Sequence, residues 1–352
     1  MLKKIYDSFT KLLFTLLELY LTYLLLHYPK QSLEYASIGL DLWFKKMIPT
    51  LLPFMILSGI MVRMNLTERF AKCFHPLFHM LWGTSLNGSY VILMGMLCGF
   101  PMGARVIGEL CNAGKLSEDE GAFLLAFCNN IGPIYFISFV MGTLSLSGNY
   151  IPFIIMYGVP LVYGCFLHYM VYIKKALCYI FKKNPDILYK EESTNLYKKT
   201  QSYAYISYID KHALKTQSNE NHPTPPLLSA IDDSVISGLI GIGKLGGYMV
   251  FFNLLNVMFI PFSALPDKFL ALCNCILEIT SGINRIGASG FYMILILLPF
   301  GGLSCMAQTY SMIKDTNLSI SRYFMHKCIQ TIIAAIIYLF VFVFSSYYVL
   351  WQ

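Results

Sequence analysis

The sequence predicts an all-α polytopic membrane protein. Of its 352 residues, 56% are hydrophobic and only 13% are charged, and a soluble domain with so few charges could not cover its own surface. Apolar runs long enough to cross a bilayer core of about 30 Å recur along nearly the whole chain. They lie at residues 12–28, 38–62, 89–110, 121–142, 151–173, 233–262, 268–283, 290–312 and 328–350. The short alternating segments of a transmembrane β-barrel are absent from the sequence, so we expect helices as the spanning elements.

One long polar segment divides the chain into two membrane parts. Residues 174–230 are rich in lysine, and Lys3 and Lys4 precede the first apolar run. Because lysines beside membrane helices concentrate on the cytoplasmic side, we expect this segment and the N-terminus there. The first run lacks a small-residue cleavage site, so we interpret it as a retained helix. The predicted units are an N-terminal membrane helix (1–36), a first membrane repeat (37–173), a cytoplasmic loop (174–230) and a second membrane repeat (231–352).

The apolar run 89–110 contains helix breakers. Gly95, Gly99 and Gly103 stand four residues apart, with Pro101 among them. Two cytoplasmic ends require an even number of crossings, whereas the first half has five apolar runs. We therefore predict that this run enters and leaves on one side as two half-helices, which is tolerated only beside protein or a water-filled cavity. The alternative is one helix whose glycines allow tight packing.

Two pairs of segments suggest an internal repeat. Shifted by about two hundred residues, GFPMGARVIGEL from Gly99 falls on PFGGLSCMAQTY from Pro299. By a similar shift, LLPFMILSGIMV from Leu51 falls close to GYMVFFNLLNVM from Gly247. Identity is slight, but helix breakers and polar residues recur at corresponding places. Paired interrupted membrane segments are typical of transporter binding sites, so we predict two repeated units with interrupted or re-entrant helices.

Two charges lie within the broken run of the first half. Arg105 and Glu109 are four residues apart, so on a helix they share a face and can form an ion pair that lowers the cost of burying either. At a substrate site, Arg105 would attract an anion. The alternative that the sequence leaves open is a pair at a helix end near the membrane interface, with Arg105 extending toward water.

Two adjacent asparagines interrupt the next apolar run. Asn129 and Asn130 precede Gly132 and Pro133, and this combination predicts the end of one helix and the start of another. The exposed carbonyls of the first and the free N–H groups of the second would form a site for an anionic or polar ligand. Alternatively, the asparagines form hydrogen bonds between neighbouring helices.

The second half carries similar residues. Glu278 and Arg285 are seven apart and would share a helical face, while Thr280, Ser281 and Gly282 predict a break between them. A later stretch, PFGGLSCMAQ, adds small and polar residues: Gly301, Gly302, Ser304 and Gln308.

Several classes of function find no support in the sequence. GLIGIGK, from Gly238 to Lys244, fits the glycines and lysine of a phosphate-binding loop, but Leu245 replaces the metal-binding Ser or Thr and no strand precedes it. The cysteines show neither a disulfide framework nor a zinc-ligand spacing. We therefore predict no enzyme, no cofactor and no metal. The net charge of +7 lies beside membrane segments, which indicates topology rather than nucleic-acid binding.

A succession of motifs resembles a known family. MIPTLLPFMILSG, GFPMGARVIGEL, LSEDEGAFLLAFCNN followed by Gly-Pro, LEITSG and FGGLSCMAQ are similar to the YlbJ-type sporulation integral membrane proteins, which carry a nucleoside-recognition gate domain. The resemblance implies a fold like that of concentrative nucleoside transporters. It also implies a place in the mother-cell membrane around the forespore of an endospore former, where the family is implicated in moving dipicolinate, a small aromatic dianion, toward the spore.

The residues and the resemblance together predict a multi-pass transporter of a small organic anion. The alternatives are a nucleoside-type transporter and a membrane scaffold for spore cortex formation. The expected partners are the anion and the lipid bilayer, a homo-oligomer is left open, and no nucleic acid is expected. The predicted substrate-binding residues are Pro101, Gly103, Arg105, Asn129, Asn130, Gly132, Glu278, Ser281, Gly302 and Gln308.

Overall fold

The computed structural model describes residues 2–183 and 226–345, and within these ranges every regular element is helical. Six helical stretches are long and apolar enough to cross a membrane, or seven if one bent pair is a single span. The six are Ser8–His27, Pro29–Arg63, Glu118–Met141, Ile151–Met170, Leu227–Phe262 and Ile320–Val341. The predicted fold class, an all-α polytopic membrane protein, is confirmed. Most of the predicted cytoplasmic loop, residues 184–225, lies outside the described residues.

The helices of the first half are α1 (Leu2–His27), α2 (Pro29–Leu42), α3 (Ile48–Arg63), α4 (Thr67–Ala71), α5 (His75–Trp82), α6 (Leu86–Cys98), α7 (Met102–Asn112), α8 (Glu118–Cys128), α9 (Pro133–Tyr135) and α10 (Ile151–Lys183). Two π-helical turns, Trp43–Met47 and Phe136–Met141, connect α2 to α3 and extend α9.

The helices of the second half are α11 (Leu227–Leu254), α12 (Asp267–Leu277), α13 (Ile279–Ile286), α14 (Phe291–Leu297), α15 (Gly302–Ile313) and α16 (Ile320–Ser345). A 3₁₀ segment, Leu255–Phe262, extends α11, and another, Gly287–Gly290, precedes α14.

The two longest helical stretches pack against each other in the centre of the protein. Trp43 donates its indole N–H to the carbonyl oxygen of Ile242 at 2.8 Å, and Arg63 donates to the hydroxyl of Ser234 at 3.1 Å. The later residue of the first stretch, Arg63, contacts the earlier residue of the second, Ser234. The two stretches therefore run antiparallel. Gly246 lies under the Trp43 ring, where a Cβ would overlap the indole. This contact joins the first half of the chain to the second.

The predicted break in the run 89–110 is present. The chain leaves α6 at Gly99, which has a φ of +80° that favours glycine, and α7 begins at Met102. Gly95 and Gly103 both face the carbonyl oxygen of Cys128, although a continuous helix would separate residues eight apart by about 12 Å. The chain therefore reverses between them, and α6 and α7 form a hairpin of short helices. Re-entry from one face of the bilayer stays a prediction.

A second hairpin occupies residues 267–286, where the sequence predicted an apolar run and a break at Thr280–Gly282. That predicted break is wrong, because Thr280 to Gly282 lie within α13 and the chain turns at the extended Glu278. A Cβ on Gly282 would lie 3.0 Å from the carbonyl oxygen of Ala271, so α12 and α13 pack side by side. The Glu278 carboxylate accepts from the Thr280 backbone N–H at 3.3 Å and caps α13.

Both halves contain the same order of elements: a long helical stretch, a hairpin, a broken helix and a final long helix. The broken helices are α8 with α9, interrupted at residues 129–132, and α14 with α15, interrupted at residues 298–301. The predicted match of Leu51 with Gly247 agrees with this order, since both lie in the long stretches. The match of Gly99 with Pro299 does not, because it joins a hairpin tip to a helix break. An internal duplication stays a prediction.

Candidate functional site

A cavity of about 80 Å³ lies where the hairpin tips of both halves meet the break between α8 and α9 and the side of α15. Its walls include Phe100 and Gly132 from the first half, with Thr50 on α3. The second half contributes Glu278 at the hairpin tip and Gln308 on α15. Three predicted site residues, Gly132, Glu278 and Gln308, are thus brought to one cavity from separate parts of the chain.

The cavity wall contains two buried polar atoms without a hydrogen-bond partner. Glu278 is 2% exposed, and its Oε1 accepts from the Thr280 hydroxyl at 3.0 Å, whereas its Oε2 forms no hydrogen bond within the part of the chain that the structure describes. The hydroxyl of Tyr135, in the interrupted helix of the first half, has none either. Because buried polar groups are almost always hydrogen-bonded, these two atoms indicate where a polar ligand or a water can bind.

The two asparagines lie behind the cavity wall rather than in it. The side-chain amide of Asn129 donates to the hydroxyls of Thr309 and Tyr323, both at 3.0 Å, and its Oδ1 accepts from the backbone N–H of Ala104 at 3.3 Å. The carbonyl oxygen of Asn130 accepts from the backbone N–H of Phe100 at 2.6 Å. The pair therefore fastens the α6/α7 hairpin tip to α15 and α16, and direct contact with a substrate stays a prediction.

Lys327 on α16 completes this network. Its ammonium group donates to Asn130 Oδ1 at 2.6 Å and to Gln330 Oε1 at 3.3 Å. The side chain is 0% exposed. Its nitrogen lies 5.9 Å from the centre of the Phe100 ring and 5.5 Å from that of Tyr323. The sequence does not indicate this residue as part of a site, because a lysine one position before the apolar run 328–350 is typical of a membrane-interface lysine.

Arg105 lies in a different place, a vestibule of about 380 Å³ between α7 and the start of α11. Its Nε donates to Glu109 Oε1 at 2.8 Å and its Nη2 to the Ser237 hydroxyl at 2.9 Å. The predicted ion pair is confirmed. Arg63 and Lys244 also line this vestibule, which lies near the start of α11 and hence near the end of the predicted cytoplasmic loop.

The chain is similar in sequence to a known sporulation protein. The chain is 22% identical over 351 residues to the sporulation integral membrane protein YlbJ of Bacillus subtilis (strain 168), which covers 90% of this chain and 79% of that protein. The predicted resemblance to the YlbJ-type family is confirmed. No family model matches the chain, and no solved structure matches it.

The other predicted site residues have packing contacts. A Cβ on Gly302 would lie 3.1 Å from the carbonyl oxygen of Leu277, so this glycine lets α15 approach the second hairpin tip. Ser281 donates to the side chain of Asn253 on α11. Pro101 precedes α7, and Gly103 faces Cys128. These four support the elements around the cavity, and ligand contacts for them stay predictions.

Proposed function

We propose that this protein is a membrane transporter that binds a small organic anion in the cavity between its two halves. The observation that carries the proposal is the meeting of the two hairpin tips and the helix break at residues 129–132 around one largely apolar cavity, with Cys305 and Gln308 of α15 also in its wall. Non-helical backbone at membrane depth is costly unless it lines a cavity, and interrupted helices of this kind form the binding sites of secondary transporters. A protein that only anchored itself in the membrane would need neither interrupted helices nor a cavity between them.

The proposed substrate class is a small carboxylate with one aromatic ring, of which dipicolinate is the example that the family resemblance implies. The cavity is small and is lined by the aromatic residues Phe100 and Tyr135, which suits a flat ligand. In this proposal the vestibule around Arg105, which is lined by three cations and the two carboxylates of Glu109 and Asp233, attracts the anion before it enters. The B. subtilis relative is named a sporulation integral membrane protein, which supports a role in sporulation. The mother-cell membrane around the forespore is the location that the family resemblance implies.

A nucleoside-type substrate is the second candidate, favoured by Glu278. A free carboxylate oxygen in the cavity wall accepts hydrogen bonds from hydroxyl or amino groups, which a nucleoside offers and a dianion does not. A carboxylate ligand beside the same oxygen would be repelled unless a proton or a cation lies between them. The two candidates are therefore separated by the charge of the ligand.

Uptake into liposomes containing the purified protein tests the proposal. Labelled pyridine-2,6-dicarboxylate should enter these liposomes faster than protein-free ones, and faster than labelled uridine. Thr50→Phe should abolish uptake, because the ring would fill the cavity that Thr50 lines.

Thr22→Phe is the matched control. Thr22 and Thr50 each donate a hydroxyl to the backbone carbonyl four residues earlier, but Thr22 lies on the exposed surface of α1, so its variant should transport normally. Uptake of uridine alone would favour the nucleoside candidate, and no uptake of either would reject transport.

A further inference from the structure

Lys327 is a buried cation whose described partners are all neutral. Its two hydrogen bonds go to the side-chain oxygens of Asn130 and Gln330, and the remaining contacts are the aromatic faces of Phe100 and Tyr323. No carboxylate among residues 2–183 and 226–345 forms an ion pair with it. An ammonium group has three donors, and an unpaired buried charge is expensive, so natural proteins rarely keep one without a use.

The position of this ammonium group relates it to the cavity. The Phe100 ring over which it lies also forms part of the cavity wall. The Phe100 ring therefore stands between the Lys327 nitrogen and the cavity, with the nitrogen 5.9 Å from the ring centre.

A charge behind an apolar wall still acts on a ligand in front of it. Charges interact more strongly through protein than through water, because protein has the lower effective dielectric constant. Glu278 is the described acidic residue that lines the cavity. A bound anion would be attracted toward the Phe100 side and held away from Glu278.

We propose that Lys327 sets the charge selectivity of the cavity: its ammonium group supplies the positive potential that favours the carboxylate groups of a small anion over an uncharged ligand. This inference rests on the proposed function and assigns its specificity to a residue of α16. In this role Lys327 needs no direct contact with the ligand. Asn130 and Gln330 hold it against the cavity wall.

The test compares two ligands of the same shape and different charge. The equilibrium binding of pyridine-2,6-dicarboxylate and of its uncharged diamide is measured on the purified full chain in lipid nanodiscs. Lys327→Met should lower the affinity for the dicarboxylate by about tenfold or more, the effect of one lost charge interaction at this range. Binding of the diamide should change far less, which also shows that the variant is folded.

Two further variants test whether the effect depends on the charge of Lys327 and not on any lysine. Lys327→Arg keeps the charge and should keep the preference for the dicarboxylate. Lys314→Gln removes an exposed lysine at the end of α15 and should leave both affinities unchanged. If Lys327→Met does not yield a monodisperse protein, Lys327→Gln replaces it, since an amide can bond to Asn130.

The outcomes separate this inference from the function on which it rests. An unchanged preference in Lys327→Met, with wild type binding the dicarboxylate, would overturn the role of Lys327 alone. An equal loss for both ligands would assign Lys327 to the fold and would also overturn it. A wild-type protein that binds neither ligand would overturn the proposed function and the inference together.

Discussion

Arg105 and Lys327 are both buried cations, but only one has a counter-charge. Arg105 is 4% exposed and pairs with Glu109, so the protein compensates its charge within one helix. Lys327 is 0% exposed and has neutral hydrogen-bond partners, Asn130 in the break after α8 and Gln330 on α16. A charge with a counter-charge costs less to bury and contributes less potential to its surroundings than one without, so Arg105 retains only part of its attraction for an anion. A buried charge without a counter-charge is thus stronger evidence for a binding role than a buried charge that has one.

Removing an acceptor from Lys327 should have the largest effect on stability. Asn130→Ala deletes the shorter of its two hydrogen bonds, and bonds to charged groups contribute about 1.5–3 kcal/mol each. We expect the free energy of unfolding to fall by about 3 kcal/mol, measured by chemical unfolding in detergent. Asn112→Ala, at the exposed end of α7, is the matched control and should change it by less than about 0.5 kcal/mol. A similar small change in both variants would mean that Lys327 needs no acceptor.

Breaking the ion pair between Arg105 and Glu109 should lower the free energy of unfolding by a smaller amount. A second substitution should restore part of it. Glu109→Gln leaves Arg105 with Ser237 as its remaining polar partner, and we expect a loss of about 1–2 kcal/mol, because the Glu109 side chain is partly exposed, at 22%. The double variant Arg105→Gln with Glu109→Gln should recover part of that loss. Additive losses in this double-mutant cycle would show that the two charges are not coupled.

Transport should respond to Arg105 less strongly than ligand binding responds to Lys327. Arg105→Gln should reduce uptake of the dicarboxylate by about threefold to tenfold through the lost attraction in the vestibule, and leave uptake of an uncharged analogue nearly unchanged. Arg105→Lys should retain part of the function, although lysine lacks the planar fork of arginine. Equal losses for both ligands would assign Arg105 to the fold and leave the anion to be recognised elsewhere.

We expect the smallest effect on stability and uptake from a substitution of Arg63, at the rim of the vestibule. Arg63 donates to the Ser234 hydroxyl at 3.1 Å and to the carbonyl oxygen of Asp233 at 3.3 Å. Partly exposed charged groups of this kind contribute at most about 1 kcal/mol. Arg63→Gln should therefore change the free energy of unfolding and the dicarboxylate uptake only slightly. If Arg63→Gln lowered dicarboxylate uptake as much as Arg105→Gln does, Arg63 would also take part in attracting the anion.

The sequence predicted the features that depend on local chemistry. Glycine and proline at Gly99 and Pro101 favour a helix end, and so does the sequence before Pro133, although single prolines at Pro53 and Pro160 lie inside continuous helices. The Arg105–Glu109 pair follows from helical spacing alone. The turn at Glu278 was placed two residues too late, because one extended residue with a capping carboxylate can end and start a helix without any glycine.

The contacts that define the cavity depend on long-range packing and could not be predicted. Lys327 lies 197 positions from Asn130 and Arg105 lies 132 positions from Ser237, so no local pattern indicates either contact. Lys327 precedes an apolar run, where a sequence pattern cannot distinguish a lysine that extends to the interface from one enclosed by neighbouring helices. Only the packing of α16 against α8 and the first hairpin tip makes that distinction.

Protection of native cysteines by a ligand tests the central claim most directly. Cys98 and Cys305 line the cavity, whereas Cys73 is exposed elsewhere. Modification by a small membrane-permeant thiol reagent is followed at each site by mass spectrometry, with and without pyridine-2,6-dicarboxylate. If the cavity binds the anion, the ligand will slow modification of Cys98 and Cys305 and leave Cys73 unchanged. Bound ligand with unaltered rates at both cavity cysteines would show that the anion binds elsewhere.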